Sequence, residues 1–193
     1  MDQENYLSPH QGLNLITETI IRTKDNFREN SFCFLLWGWL ITAASFISFF
    51  VHRFTSYTYY YLPFPVLAIS GILVTILYFV RKAAYTLTQT YLSFFLTRLW
   101  MVVGTSFIVV VIISITQNLL PFTYTSIVAG IGTLVSGLVM NFKPLIGGGI
   151  LFMVAAFIIV FTPAGYKELV HGIAMLGGYV IPGYLLKSSK QQS

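Results

Sequence analysis

The chain has 193 residues, of which 56% are hydrophobic, 17% are aromatic and 9% are charged, and its formal net charge is +5. A soluble domain carries charge on about a quarter of its residues, and a nucleic-acid-binding protein needs a basic face on such a domain. This composition therefore excludes both classes, and no nucleic-acid partner is expected. Because Asp and Glu are also absent between Asn30 and Glu168, we predict an all-α polytopic membrane protein whose main solvent is the lipid bilayer.

The first 30 residues predict a cytoplasmic amphipathic helix that follows Ser8-Pro9 and covers residues 10–30. Its apolar positions, spaced by three or four, share one face with Lys24: they are Leu13, Ile16, Ile20 and Phe27. That pattern suits a helix lying in the membrane interface. The same segment could instead be a lead-in packed on the cytoplasmic loops, or a docking surface for a cytoplasmic protein partner.

Residues 31–186 predict one transmembrane domain of six helices, followed by a cytoplasmic tail at 187–193. Each apolar segment approaches or exceeds the roughly 17–25 residues that cross a ~30 Å hydrocarbon core, and a helix is required because unpaired backbone groups cannot face lipid. The predicted spans are Ser31–Val51, Leu62–Val80, Leu92–Ile115, Phe122–Met140, Pro144–Phe161 and Lys167–Leu186. Pro182 is the one proline inside a span, and we expect it to bend the sixth helix.

The distribution of Lys and Arg predicts the orientation. Of the 11 Lys and Arg residues, only Arg53 and Lys167 fall in the loops on the side opposite the N-terminus. Because basic residues accumulate on the cytoplasmic side, both termini are predicted to be cytoplasmic. The expected location is the bacterial inner membrane.

An internal repeat relates the first four spans. Residues 39–47 begin with Trp39 and match residues 100–108, which begin with Trp100, and residues 68–82 match residues 129–143 at the same spacing. A fainter third copy follows. The pattern predicts three tandem two-helix hairpins, at about 31–80, 92–140 and 144–186, arranged around an axis along the membrane normal.

The glycine-rich second half carries a resemblance to a known family. The segments that carry it are Gly130–Gly137, Lys143–Leu151 and His171–Gly178. They resemble the HdeD-like small bacterial membrane proteins, which are associated with acid stress. The resemblance implies a six-span fold and provides no catalytic residues, and the aromatic first hairpin and the N-terminal helix depart from it.

Small residues in the second half predict close helix packing, because helices in lipid associate where their backbones can approach. The candidates for packing among spans four to six are Gly132, Ser136, Gly147, Gly148, Gly149, Ala174 and Gly178. Gly177 and Gly178 lie beside Pro182, so they could alternatively form a hinge or line a path for a solute.

Two charged positions are further candidates. Arg98 lies about 9 Å inside the third span at ~1.5 Å per residue, where a charge often marks a site, but its long side chain can snorkel to the head groups. Glu168 and His171 are one helical turn apart. A solvated outer turn is the expected setting for this pair, and a pH-sensitive outer gate or a metal site are the alternatives.

No enzyme signature, cofactor motif or metal-ligand spacing is found in the sequence. The favoured hypothesis is a non-enzymatic channel or passive transporter for small solutes. The alternative is a membrane-embedded adaptor or stress-response protein that acts through its N-terminal helix. Self-association into a homo-oligomer is expected in either case.

Overall fold

The computed structural model of the protein describes residues 9–55, 57–83 and 91–189, with side chains for 31–55, 57–81 and 92–189. This part of the chain is helical and contains no strand. The elements are α1 (Pro9–Phe54), α2 (Pro63–Ala83), α3 (Tyr91–Thr116), α4 (Phe122–Val139) and α5 (Lys143–Phe161), then a 3-10 turn (Ala164–Tyr166), α6 (Lys167–Met175), a π-helical turn (Leu176–Val180) and α7 (Ile181–Ser188).

Six helical stretches are long and apolar enough to cross a membrane, as predicted. They are Ser31–Phe54, Pro63–Arg81, Leu92–Thr116, Phe122–Val139, Lys143–Phe161 and Ala164–Ser188, and we call them spans 1 to 6. Proline marks the start of several, since a missing N–H costs little in the first turn of a helix: Pro63 opens α2 and Pro121 caps α4. Many large apolar side chains are exposed along these spans, which is typical of surfaces that contact lipid.

The predicted N-terminal helix forms the first part of α1, which runs without a break from Pro9 to Phe54. The side chains of its predicted amphipathic face lie outside the described residues, as do residues 1–8 and the last four residues of the tail. The interfacial location of this helix therefore stays a prediction.

Side-chain contacts show which ends of the spans lie together, at two opposite faces of the protein. On one face, where span 1 ends, Phe122 of α4 lies 5.3 Å from Phe64 of α2 and 5.2 Å from His171 of α6 between ring centroids. On the other, where span 1 begins, Phe32 stacks on Tyr78 of α2 at 4.2 Å. We call these the Glu168 face and the basic face, because the second carries the helix ends with Arg81, Lys82, Lys143 and Lys187.

The core lies between spans 1, 4, 5 and 6, in which 33 to 56% of residues are buried, against 6% in span 2 and 11% in span 3. The main neighbour of α2 is α1, that of α3 is α4, and the most extensive pairing joins α4 to α5. The turn Met140–Phe142 makes that pairing possible, since Asn141 adopts a left-handed conformation (φ 50°) that ends α4 sharply. This strongest pair belongs to two different predicted hairpins, so the tandem-hairpin repeat stays a prediction.

Glycine allows α5 to approach its two partners closely. A Cβ on Gly149 would lie 2.7 Å from the backbone of Leu134 in α4, and one on Gly148 would lie 2.6 Å from the carbonyl oxygen of Gly178 in the sixth span. These distances are far below van der Waals contact, so the predicted role of Gly148, Gly149 and Gly178 agrees with their positions. Ala174, one turn before Gly178, is also buried in this core.

Three of the predicted packing positions need correction. Gly147 is exposed, and a Cβ there would meet nothing within 4 Å, because successive helical residues are turned by about 100° and three consecutive glycines cannot face one partner. Gly132 and Ser136 do pack closely, but on span 3: Gly132 faces Val103, and the Trp100 indole donates a hydrogen bond to Ser136 at 3.2 Å.

The sixth span is interrupted where Pro182 was expected to bend it. The π-helical turn Leu176–Val180 contains Gly177 and Gly178 and directly precedes α7, in which Pro182 lies in the first turn. A widened turn accommodates the proline ring and its missing N–H, which an unbroken α-helix would not tolerate.

Candidate functional site

A group of polar side chains meets at the Glu168 face, enclosed by the end of α1, the following turn, α4 and α6. We call it the His–Glu cluster; its members are Ser45, Ser48, His52, Tyr60, Thr125, Glu168 and His171. Glu168 is the only acidic residue among described residues 31–189. Here α1, α4 and α6 all contribute polar groups, so the cluster is the candidate site.

Glu168 and His171 are buried, with exposed fractions of 0% and 2%. The expectation of a solvated outer turn was therefore wrong. The reason is that α6 packs its charged face inward against α1 and not outward, so that the residues one turn apart both point into the protein. A buried carboxylate is costly unless it is paired, and its partner comes from α1.

That partner is His52, whose Nδ1 lies 3.3 Å from Oε1 of Glu168. The other carboxylate oxygen, Oε2, has no hydrogen-bond partner among the described residues. His52 is one-third exposed, so it connects the buried carboxylate with the surroundings of the protein. This pair joins the end of α1 to the start of the sixth span.

Tyr60 covers the other side of the pair. Its ring stacks on His52, with centroids 4.1 Å apart and planes 13° from parallel, and its carbonyl oxygen accepts a 2.7 Å hydrogen bond from the Ser48 hydroxyl. Burial, followed by the negative charge of Glu168, raises the pKa of the Tyr60 phenol above its ordinary value. The turn between α1 and α2 is thereby held against the cluster.

His171 occupies the deeper part of the cluster between α1 and α4. Ser45 Oγ lies 3.0 Å from Nδ1 and Thr125 Oγ1 lies 3.5 Å from Nε2. The Thr125 hydroxyl also lies 3.0 Å and 3.1 Å from the carbonyl oxygens of Pro121 and Phe122, to which it can donate, and this leaves its oxygen free to accept a hydrogen bond from the imidazole. This arrangement favours the neutral tautomer with the proton on Nε2, in which the Ser45 hydroxyl donates to Nδ1.

No group of three or more His, Cys, Asp or Glu side chains that could hold a metal ion is found among the described residues. The two ring nitrogens of His171 are already engaged by hydroxyls, and Glu168 contacts one histidine only. The geometry is that of a hydrogen-bonded titratable cluster and offers no coordination sphere.

The remaining sequence candidates lie elsewhere. Arg98 is exposed near the basic face, with its guanidinium carbon 5.1 Å from the centroid of the Phe94 ring. Gly177 and Gly178 lie in the π-helical turn, one to two helical turns after His171 in the sequence. There Phe152 packs on Tyr179 at 4.8 Å between ring centroids. The structure therefore brings together Glu168 and His171 but not the other candidates.

Sequence reasoning missed the contribution of α1. Ser45, Ser48 and His52 follow one another at spacings of three and four, which places them on one face of a helix. A polar face on the end of an apolar span is a signal that this face meets another polar group. It was readable, but it did not identify which helix would supply the partner.

No protein-family model, curated protein or solved structure matches this chain. The resemblance to HdeD-like proteins stays a prediction.

Proposed function

We propose that this protein is a non-enzymatic, multi-pass protein of the bacterial inner membrane that responds to acid at the Glu168 face and transmits the change through α1. It would act as a stress-response adaptor whose cytoplasmic end binds a protein partner. The observation that carries this proposal is the fully buried Glu168, which is held to α1 by the partly exposed His52.

Acid acts on this pair through its charge balance. With a single shared proton, a carboxylate and an imidazolium attract each other at 3.3 Å. A second proton neutralises Glu168 and leaves His52 positive. Two further cations are then nearby, Arg53 next to His52 in α1 and Lys167 next to Glu168 in α6, and no negative charge in the cluster compensates them. The attraction between α1 and α6 is then lost, since removal of one partner of a buried pair is strongly destabilising.

The other groups that face Glu168 do not replace that charge. Tyr60 is a neutral phenol at neutral and acidic pH, since its pKa is raised above the ordinary 10.0. His171, on the same helix as Glu168, can only add positive charge. From α4 the cluster receives the hydroxyl of Thr125, and from α2 the Phe64 ring, which lies 6.3 Å from His171. The response to acid is therefore set by the pair of His52 and Glu168.

The route to the other face is α1 itself. His52 lies in its last turn, and the helix continues unbroken to Pro9, about 64 Å away at ~1.5 Å per residue. A packed helix moves as a rigid element, so a displacement at His52 reaches the N-terminal segment, which carries the predicted cytoplasmic docking surface. Both termini are cytoplasmic in this proposal, and a homo-oligomer is compatible with it.

The experiment measures the separation of α1 and α6 by electron spin resonance. Spin labels are placed at Phe54→Cys and Ala164→Cys, both exposed, in a Cys33→Ser background reconstituted in nanodiscs. We expect a longer distance at about pH 4.5 than at about pH 7.5, because the lower pH favours addition of the second proton. Glu168→Gln should give the longer distance at both pH values.

Lys167→Gln is the matched control, because it removes a charge from the neighbouring position without breaking the contact to His52; it should keep the pH response. The proposal fails if the labelled wild-type protein shows no change with pH, or if Glu168→Gln responds as the wild type does. A pull-down at both pH values, with and without residues 1–30, then tests the cytoplasmic partner: an unchanged set of bound proteins removes the adaptor function.

Passive transport of a small solute is a second candidate, favoured by the π-helical turn at Leu176–Val180 beside Pro182. Such turns often occur at functional sites, and this one lies in the most buried span. Against it, the neighbouring core is filled by Phe152 and Tyr179, and the hydroxyls of Thr133 and Ser136 bond to their own helix at 2.7 Å. Solute flux into proteoliposomes tests this function, and an inert result across broad solute classes would remove it.

A further inference from the structure

Arg98 is the only charged residue of span 3, and its side chain is exposed on the outside of the helix bundle. The guanidinium packs on the face of Phe94 at 5.1 Å, one helical turn closer to the basic face. Phe94 therefore directs the charge toward that face and away from the middle of the span, and a cation–π contact of this kind holds a guanidinium in place.

The protein provides no anion for Arg98 within residues 31–189. The one acidic residue there, Glu168, pairs with His52, whereas Trp100, two residues after Arg98, contacts Phe34 at 5.4 Å between centroids. His52 lies 18 positions beyond Phe34 on the same helix, which corresponds to about 27 Å. Arg98 and Glu168 are thus at opposite ends of the bundle, and no acidic side chain that the structure describes lies near Arg98.

The surface that continues from Arg98 into the membrane is apolar. Residues at helical spacing along it are exposed by about half or more: Met101 57%, Val102 66%, Ile108 56%, Val109 49% and Ile112 56%. The Thr105 hydroxyl on this stripe bonds to the Met101 carbonyl at 2.9 Å and so leaves no free donor. From Arg98 to Ile112 the stripe is about 21 Å long, which exceeds the ~15 Å depth of one leaflet's hydrocarbon.

We propose that Arg98 is a binding site for the phosphate of an anionic phospholipid in the leaflet at the basic face, with an acyl chain lying along this apolar stripe of α3. A planar guanidinium presents paired donors that match phosphate oxygens. Charge complementarity selects the lipid: within residues 31–189, the helix ends of the same face carry Arg81, Lys82, Lys143 and Lys187 and no acidic residue. This site is independent of the response to acid proposed above.

The test is native mass spectrometry of the full chain released from nanodiscs that contain phosphatidylglycerol and phosphatidylcholine in equal amounts. The wild-type protein should retain phosphatidylglycerol preferentially, and Arg98→Gln should reduce this preference by roughly tenfold, as expected for loss of a hydrogen bond to a charged group. Arg53→Gln is the matched control, since Arg53 is an exposed cation in the last turn of α1, at the other face, and it should retain the wild-type preference.

Arg98→Lys keeps the charge without the paired donors and should show an intermediate preference, which preserves the test if the glutamine variant does not fold. Equal preference in the wild type and Arg98→Gln would overturn the site, and so would an equal loss in Arg53→Gln, which would indicate general charge attraction. Displacement of the lipid by millimolar inorganic phosphate would identify a free-anion site instead. A dimer mass that replaces the lipid adduct would assign the stripe to a second copy of the chain.

Discussion

Replacement of Gly178 by alanine tests the close packing that holds the sixth span. The added methyl group would overlap the ring of Phe152, whose Cζ lies 2.5 Å from the Cβ position. Phe152 is fully buried and cannot turn away. The two backbones are also close, since the Gly178 carbonyl oxygen lies 2.6 Å from the position that a Cβ on Gly148 would occupy. To restore a normal carbon contact of ~3.5 Å between the new methyl group and Phe152, α5 and the sixth span must therefore separate by about 1 Å.

The expected loss of stability follows from two opposing terms. Overpacking of a filled core costs about 1–3 kcal/mol, and the rigid surroundings of Phe152 place this site at the upper end. Alanine in a helix regains up to ~1 kcal/mol relative to glycine. We therefore expect Gly178→Ala to lower the free energy of unfolding by about 2 kcal/mol, which decreases the folding equilibrium constant roughly thirtyfold.

Unfolding in mixed micelles with increasing SDS measures this change, and Gly147→Ala is the matched control. Gly147 lies in the same glycine run, but its Cβ would meet nothing within 4 Å, so alanine there should be neutral or stabilising. The double variant Gly178→Ala, Phe152→Leu should cost less than the two single changes together, because the smaller side chain makes room for the methyl group. Strict additivity, or equal destabilisation by Gly147→Ala, would refute the steric argument.

Two further predictions concern single contacts. The pKa of Tyr60 is higher in the folded protein than its ordinary 10.0, so its neutral form stabilises the fold below that pH, and this contribution is lost as the pH rises through the raised pKa. The thermal stability of the wild type should therefore fall more steeply with pH than that of Tyr60→Phe above the ordinary pKa of 10.0. Parallel curves would contradict the assignment. Trp100→Phe removes the hydrogen bond to Ser136 at 3.2 Å and should lower stability against SDS by about 0.6–1.7 kcal/mol. Ser136→Ala removes the same bond, so the double variant should be destabilised only slightly more than the less stable of the two single variants.

The number and the limits of the spans were predictable from the sequence because lipid imposes one dominant constraint. A segment such as Lys143–Phe161 must be apolar over its length, and this requirement is visible residue by residue. Which side of a helix meets a partner is a weaker signal in lipid, where both sides are apolar. The exposed position of Gly147 and the packing of Gly132 on α3 were therefore missed, although the importance of small residues was recognised.

The candidate site was also only partly predictable from the sequence. Glu168 and His171 were recognisable as a pair on one helical turn, but their burial depends on His52, which is 116 positions away in the sequence. A local pattern cannot specify such a contact. Only the polar spacing of Ser45, Ser48 and His52 indicated that the end of α1 meets a polar neighbour.

The long acid-free stretch acquires a more specific meaning once the helices are placed. Because no other acidic residue lies between Asn30 and the end of the chain, Glu168 is the only acidic residue within spans 1 to 6. It is used at one face, where it binds His52 and where a single proton changes the charge balance. Arg98, near the opposite face, has no acidic partner within the spans, and its proposed anion is a lipid of the bilayer. An acidic residue introduced near Arg98, for example by Val102→Glu one turn away, should therefore reduce lipid retention at that face without altering the response of Glu168 to acid.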